Sequence, residues 1–490
     1  MFNYPAPQFM QSIPAPEPGK WPPPTVEPAD SRSGPHDQIY IHVPFCPFIC
    51  DYCLFYKIRN QSQELHERFT DLLIREIEYY GSSLVLRERE FGVIYFGGGT
   101  PTELTPAQLK RIVAALHKHF RIHPQAEVTL EAVARHLLAP GYLEECLEVG
   151  FNRLSFGIQS LDERVRQAIG RTGDVVADYP RAIEHARRLA PQVPVNIEFI
   201  NSLPEQDESS VRMDLEQAIA WDAASIDLFS YLMIPGTPLY QKILLGKSAQ
   251  PRYGAALVSE RRMSRQLLED AGYRQVGGGM YSKHDRSFYS QSFYDGHAAT
   301  LALGPSSIGR IGDTTYRNAG NLDEYAKRIG AGRFPVTSAM RMTRNQVRRR
   351  ALLLAIGHFE IPRELVATSR ERRCFARWRK HGLVEPTADG WRLTGEGHVW
   401  YNQMQMELLP VLDFLHNLRL LGSVEEQDLL IRSGSPLGQE LLAVAGSYGT
   451  LPASVMRWGY RWYLRAAQWL PRSWTSGVGW LGPTRRLLRS

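Results

Sequence analysis

The chain has 490 residues, of which 43% are hydrophobic, 22% charged and 10% aromatic, the profile of a folded globular protein rather than a disordered or fibrous one. At roughly 150 residues per domain there is chain for two or three domains, and no run of about 18 apolar residues marks a transmembrane helix. Fifty-seven Lys and Arg against 51 Asp and Glu give a net charge of +6, too mild over this length to imply nucleic acid or lipid as a partner.

Residues 1–37 are rich in proline and lack an apolar h-region, so an extended arm and no secretory signal are expected. The segment 38–43, QIYIHV, reads as a first strand. Further strands are expected at 91–96, 127–131, 153–156, 195–200 and 225–231. Helices are expected at 64–79, 106–120, 140–149, 162–168, 178–189 and 209–221, where apolar residues recur at helical spacing. Such alternation predicts an α/β fold with a parallel sheet of right-handed βαβ units. Six units suit a partial (β/α)6 barrel better than a doubly wound sheet, although periodicity by itself does not separate the two. In both, ligands sit at the C-terminal ends of the strands. The core with its barrel extension is expected to span 38–340. Beyond it, helices at 345–358 and 374–381 and a hairpin signal at 383–394 predict a winged-helix-like domain over 341–420. Residues 421–490 are expected to form a last region, a helical tail.

Five cysteines are too few and too uneven for a disulfide scaffold. Cys46, Cys50 and Cys53 fall within eight residues, whereas Cys146 and Cys374 stand apart. Three thiolates in the loop after a first strand suit an iron–sulfur cluster that needs four ligands and keeps one iron open. A zinc site completed by His42, or three unrelated thiols, are the alternatives. A reducing, cytoplasmic setting follows from this cysteine usage.

Seven segments then appear in order: YIHVPFCPFICDYC (40–53), YFGGGTPTEL (95–104), EVTLEA (127–132), GFNRLSFGIQSLDERV (150–165), GRTGD (170–174), LPEQD (203–207) and PGTPL (235–239). In these the chain resembles the radical S-adenosylmethionine (SAM) superfamily. It is similar to the branch holding oxygen-independent coproporphyrinogen dehydrogenase, its related heme chaperone and the anaerobic heme-utilisation enzymes. The resemblance implies a radical SAM barrel, with Cys46, Cys50 and Cys53 holding a 4Fe-4S cluster whose open iron takes SAM. One electron then cleaves the sulfonium to a 5′-deoxyadenosyl radical that abstracts hydrogen. By the same resemblance Tyr40, Gly98 and Glu131 contact the cluster-bound SAM. Tyr52, Gly99, Thr100, Gln159, Arg171 and Glu198 contact a second SAM or the substrate. Without the resemblance, the glycines read as a tight turn, Glu131 as a solvated strand end and Arg171 as a surface ion-pair residue.

The departures from the family pattern set the branch. Phe55 stands where the dehydrogenase has a fourth Cys. Ala132-Val133 replaces Asn-Pro, and Glu198, Phe199, Ser202 and Glu205 interrupt the usual Asp-Leu-x-x-Gly-Leu-Pro-Gly-Gln. GRTGD, LALGPSSIGRIG (301–312) and the segment 377–404 look most like the heme-utilisation enzymes. That likeness implies radical methylation of a tetrapyrrole with ring opening, and a flavodoxin-type electron donor. A natural-product C-methyltransferase or cyclopropane synthase using two SAM molecules, and a heme chaperone, are the rivals. For heme, His284, His297 and His358 are weak axial-ligand candidates and Arg286 a weak propionate partner. The tail from Leu451 holds five of the ten tryptophans, seven arginines and no acid. This mix suits a peripheral membrane or protein contact, against a packed C-terminal helix as the plainer reading.

Overall fold

Three apolar residues of the first strand, β1 (Gln38–Val43), alternate with polar ones: Ile39, Ile41 and Val43 are fully buried, whereas Tyr40 and His42 point the other way. The same alternation builds β2 (Glu90–Gly98), β3 (Arg121–Ala132), β4 (Arg153–Gln159), β5 (Val195–Asn201) and β6 (Ser225–Ser230). The computed structural model describes residues 37–59, 62–233, 236–252, 254–283, 288–296 and 298–409. Each of the six strands pairs in parallel with the next in chain order. A doubly wound sheet would reverse its strand order at a switch point; these six strands lie in chain order throughout, so the six units form the partial barrel.

Helices cover its outer face: α1 (Gln63–Gly81), α2 (Pro106–His119), α3 (Tyr142–Val149), α4 (Glu163–Ala168), α5 (Asp178–Leu189) and α6 (Glu208–Ala220). α2 shows why they form where they do. Thr105 and Gln108 make a reciprocal capping box, Pro106 occupies the first turn, and Leu109, Ile112, Val113 and Leu116 bury one stripe. The core lies between these stripes and the outward strand residues, among them Phe69, Leu73, Ile77, Ile94, Phe96, Leu130, Phe156 and Ile197. Each such side chain contributes about 1.5–3 kcal/mol by leaving water.

The sheet continues past the six units, and the barrel extension divides into further strands and helices. After α7 (Pro238–Leu244) and α8 (Ala255–Asp270), β7 (Arg274–Gly277) and β8 (Met280–Ser282) add to the β6 side, with β8 antiparallel to β6. Then comes α9 (Phe288–Tyr294), followed by β9 (Thr300–Leu303), which lies parallel beside β1. β10 (Ile308–Ile311), β11 (Thr314–Asn318), α10 (Leu322–Gly330) and β12 (Val336–Arg341) follow. The result is one twelve-stranded sheet, ordered β12-β11-β10-β9-β1-β2-β3-β4-β5-β6-β8-β7. Glu76 of α1 fastens the added strands, accepting from Gly304 N (2.7 Å), Asn318 Nδ2 (2.7 Å) and Tyr325 OH (2.6 Å).

The chain then runs α11 (Arg344–Gly357), β13 (Glu360–Pro362), α12 (Ser369–Lys380), β14 (Val384–Pro386), β15 (Gly390–Leu393) and α13 (Gly395–Leu408). β15 is the middle strand of a small antiparallel sheet. Leu352, Ile356, Phe375, Trp378, Leu393 and Met404 give this module a hydrophobic cluster of its own. The proline-rich arm, His284, Arg286, His297 and the Trp/Arg tail lie outside the described residues. Among the described residues no helix is long and apolar enough to cross a membrane.

Candidate active site at the strand ends

The cysteine loop leaves the C-terminal end of β1 and returns beside it. Phe45 and Cys46 pair in parallel with Ile58 and Arg59, and Ile58 N donates to Pro44 O (2.6 Å). Lys57 Nζ donates to Cys53 O (2.6 Å) and Phe55 O (3.1 Å), closing the turn below the third cysteine. All three thiols are free. Cys46 and Cys50 are buried, and Cys53 is half-buried. Burial pushes the Cys46 thiol up to about 12 and also raises Cys53. Such thiols stay protonated until a metal charge displaces the proton. Two donors already face the sulfurs: Thr100 Oγ1 lies 3.8 Å from Cys46 Sγ and Arg171 Nη1 3.6 Å from Cys50 Sγ. Arg171 Nε is buried with no partner. These features fit a cluster whose negative sulfurs accept hydrogen bonds.

They do not fit zinc. Both ring nitrogens of His42 are engaged, Nε2 with Tyr56 O (2.8 Å) and Nδ1 with Tyr40 OH (3.3 Å). Burial lowers its pKa to about 4, and the neutral ring packs on Gly98. Among the described residues no three His, Cys, Asp or Glu side chains gather around one ion. A single zinc needs four ligands around one point, whereas a cluster spreads its cysteines over separate irons.

The strand-end glycines serve the loop itself. Gly99 N donates to Val43 O (2.7 Å) and Thr100 N to Phe45 O (2.6 Å). A Cβ at Gly99 would fall 2.5 Å from Phe45 O and 2.6 Å from Val43 O. The backbone N–H groups of Gly99 and Thr100 are therefore occupied by carbonyls at the start of the cysteine loop. Gly98 differs, with φ at +102° and its backbone near enough to the Glu131 carboxyl to lower that acid's pKa.

Inward-facing positions carry the polar chemistry. Tyr95, Glu131, Arg153, Ser155, Asn196, Glu198, Ser225 and Asp227 occupy alternate positions of β2 to β6. Tyr95 OH donates to Glu131 Oε1 (2.7 Å) and reaches Glu198 Oε1 at 3.4 Å, so one phenol links two carboxylates. A directed chain ends on Glu198. Arg153 Nη2 donates to Ser225 Oγ (3.3 Å) and Ser225 Oγ to Asn196 Oδ1. Asn196 Nδ2 then donates to Ser155 Oγ (2.9 Å), and Ser155 Oγ to Glu198 Oε1 (2.6 Å). Asn196 Nδ2 also donates to Asp227 Oδ2 (2.9 Å). Burial, then the nearby Glu198 charge, pushes Glu131 up to about 8; the same two causes push Asp227 up to about 7. Arg153, buried and 3.8 Å from Glu127, is the cation acting on these acids. The arrangement is short of positive charge and suits a cationic ligand.

The twelve residues named from the resemblance thus fall into two groups. Cys46, Cys50, Cys53, Thr100, Arg171 and Tyr52 lie around the loop. Arg171 is buried rather than at the surface, with Nη2 on Asp174 Oδ2 (2.9 Å) and the Gly157 carbonyl, and its guanidinium 5.1 Å from the Phe48 ring. Tyr52 packs on a cluster with Val165, Ile169, Leu203 and Tyr231. Tyr40, Gly98, Glu131, Gln159 and Glu198 face the lumen, while Gly99 binds the two groups together. Gln159 holds a positive φ of 72° at the end of β4 and folds over Gly157 beside Glu198. The Glu131 carboxyl is half-buried and accepts from Tyr95 OH, rather than standing free in solvent. His358 stacks on Tyr294 (6.3 Å between centroids). Tyr95, Arg153, Ser155, Asn196 and Asp227 were not singled out from the sequence, although polar residues at alternate places in otherwise apolar strands are a readable signal.

Comparison with known proteins agrees with this geometry. The radical SAM superfamily model matches residues 40–217. Anaerobilin synthase of Escherichia coli O157:H7 is 30% identical over 392 residues, covering 77% of this chain and 85% of the relative. Oxygen-independent coproporphyrinogen III oxidase of Pseudomonas aeruginosa is 28% identical over 399 residues, covering 76% and 85%. The heme chaperone HemW of Bacillus subtilis is 29% identical over 313 residues, covering 62% and 79%. In fold, the chain matches coproporphyrinogen III oxidase of Escherichia coli with a TM-score of 0.66 at 23% identity, over 77% of this chain and 91% of that one. The chain belongs to the radical SAM superfamily, in the branch of these coproporphyrinogen oxidases and anaerobilin synthase, and is an enzyme whose cofactors are a 4Fe-4S cluster and SAM.

Proposed function

We propose that this enzyme acts on a tetrapyrrole, using SAM cleavage to methylate heme and open its ring. The likeness to anaerobilin synthase over 85% of that relative carries the reading. The lumen supports it, with the aromatic rings of Tyr40, Tyr95 and Tyr289 lying roughly parallel under an acidic rim. When bound, the cluster and SAM supply the 5′-deoxyadenosyl radical that begins the reaction. Cys46, Cys50 and Cys53 hold the cluster, with Thr100 and Arg171 donating to two of the sulfurs. Glu131 and Glu198 take the cationic groups of SAM, and Tyr95 fixes the spacing between the two carboxylates. The Arg153–Ser225–Asn196–Ser155 chain orients Glu198, and the packed sheet keeps bulk water from the reacting atoms.

The test is mass spectrometry of products from reduced, cluster-loaded enzyme given SAM and heme anaerobically. A methylated, ring-opened tetrapyrrole is expected, with heme absorbance lost in step. A Cys50→Ala variant is expected to lose the cluster absorbance and all 5′-deoxyadenosine formation. Intact heme and unmodified tetrapyrrole after full SAM cleavage would overturn the reading. The likeness to HemW favours a second reading, a heme chaperone; stoichiometric heme binding with no heme consumed is its signature.

A further inference from the structure

The barrel has a floor that none of its six strands supplies. β8 lies beside β6 and β9 beside β1, so the connection between them crosses the open side of the sheet. α9 lies in that crossing, and its Tyr289 enters the lumen. The Tyr289 ring stacks on Tyr95 at 4.4 Å and 28°, and the Arg153 guanidinium carbon lies 6.0 Å from its centroid. Tyr95 is in register with Tyr40 and with Thr129, and Thr129 with Arg153. Glu131 and Ser155 come two residues later, toward the strand ends. Tyr289 therefore belongs to the layer directly beneath Glu131, with Glu198 a further step toward the strand ends. Beside it, a cavity of about 10 Å³ remains among Arg153, Ser225, Asp227, Met280 and Ser290, room for about one water.

The other end of α9 is seated in the C-terminal module. Tyr294 stacks on His358, and a Cβ at either Gly277 or Gly357 would come within 2.5 Å of its ring. Arg350 Nη2 donates to Gly296 O (3.3 Å), and Arg310 Nε to Ala298 O (3.0 Å). One short helix thus joins a ring inside the reaction chamber to a slot in the module.

We propose that Tyr289 is the floor of the reaction chamber and sets how deeply a flat substrate enters, with Tyr294 and the C-terminal module holding it in place. The substrate side of this inference rests on the tetrapyrrole reading; the floor itself does not. A stacked ring stays in place without help from its hydroxyl, so shape rather than phenol chemistry is the working property.

Three variants of the full, cluster-loaded chain test it: Tyr289→Phe, Tyr289→Ala and Gly357→Ala, the last remote from the lumen. The readouts are heme binding by absorbance titration without reductant, and 5′-deoxyadenosine formed under reduction without any tetrapyrrole. Tyr289→Phe, which keeps the stacked ring, is expected to retain most of the heme binding and to raise substrate-free cleavage far less than Tyr289→Ala. Tyr289→Ala is expected to weaken heme binding and raise substrate-free SAM cleavage by about tenfold, the scale of effect that lost positioning has. Gly357→Ala is expected to move both readouts in the same direction, less far. Wild-type behaviour of a folded Tyr289→Ala overturns the floor, as does a Tyr289→Phe variant as impaired as Tyr289→Ala. If Tyr289→Ala does not fold, Gly357→Ala decides by the same readouts. If the wild type binds no heme, the tetrapyrrole reading falls, and substrate-free cleavage still decides the floor.

Discussion

Glu131 shows how one residue changes meaning between sequence and structure. As a strand-end acid it reads as solvated; in the barrel its carboxyl shares Tyr95 with Glu198 and sits in a lumen short of cations. Burial pushes it up from its ordinary 4.5 to about 8. An acid whose native pKa exceeds its unfolded value binds its proton more tightly when folded, so its contribution to stability is complete below about 4.5 and is lost as pH rises toward about 8. Asp227, raised to about 7, acts in the same direction. The cofactor-free protein should therefore lose Tm across this window. Glu131→Gln, which keeps the acceptor for Tyr95, should reduce that slope in thermal denaturation followed against pH. An unchanged slope would mean that Glu131 is already ionised in the native lumen. The sequence showed the acid and its strand; the neighbour that perturbs it lies on another strand, and no local pattern reveals that distance.

At the scale of elements, the strand end Gly97–Thr100 joins the cysteine loop to the barrel. Its two N–H groups hold the carbonyls of Val43 and Phe45, and only a glycine at 99 allows that approach. Gly99→Ala should cost about 1–3 kcal/mol through backbone overpacking and lower the iron bound per chain after reconstitution, measured by iron assay beside the Tm. Iron at the wild-type level with an unchanged Tm would show that the loop does not depend on this contact. The six long strands and their helices were legible because apolar periodicity is a local property. β7 to β12 were not. They run three to six residues, too short for an alternating pattern to stand out, and they are held by pairing with neighbouring strands.

For the whole molecule, the ordering of one sheet matters most. Asp37, just before β1, gathers three strands at the opposite end from the site: its Oδ2 pairs with Arg89 Nε (2.9 Å), its Oδ1 accepts from Ala299 N (2.6 Å), and its carbonyl accepts from Gly92 and Val93. Both partners of the ion pair are buried. Asp37→Ala leaves a buried guanidinium unpaired and should destabilise the chain by about 3–5 kcal/mol, read as a lower urea midpoint; a loss below about 0.5 kcal/mol, the usual range for surface changes, would show that water replaces the carboxylate. By itself the sequence determined the barrel units, the cysteine trio and the family, because strand and helix periodicity and close motif spacing are written within a few residues of chain. Only the tertiary structure decided that Tyr95 meets a carboxylate 103 positions away, that both nitrogens of His42 are engaged, and that Tyr289 stacks on Tyr95. Those contacts arise where separate strands turn their inward side chains toward a common axis, and that convergence depends on sheet order and register rather than on any local stretch of residues.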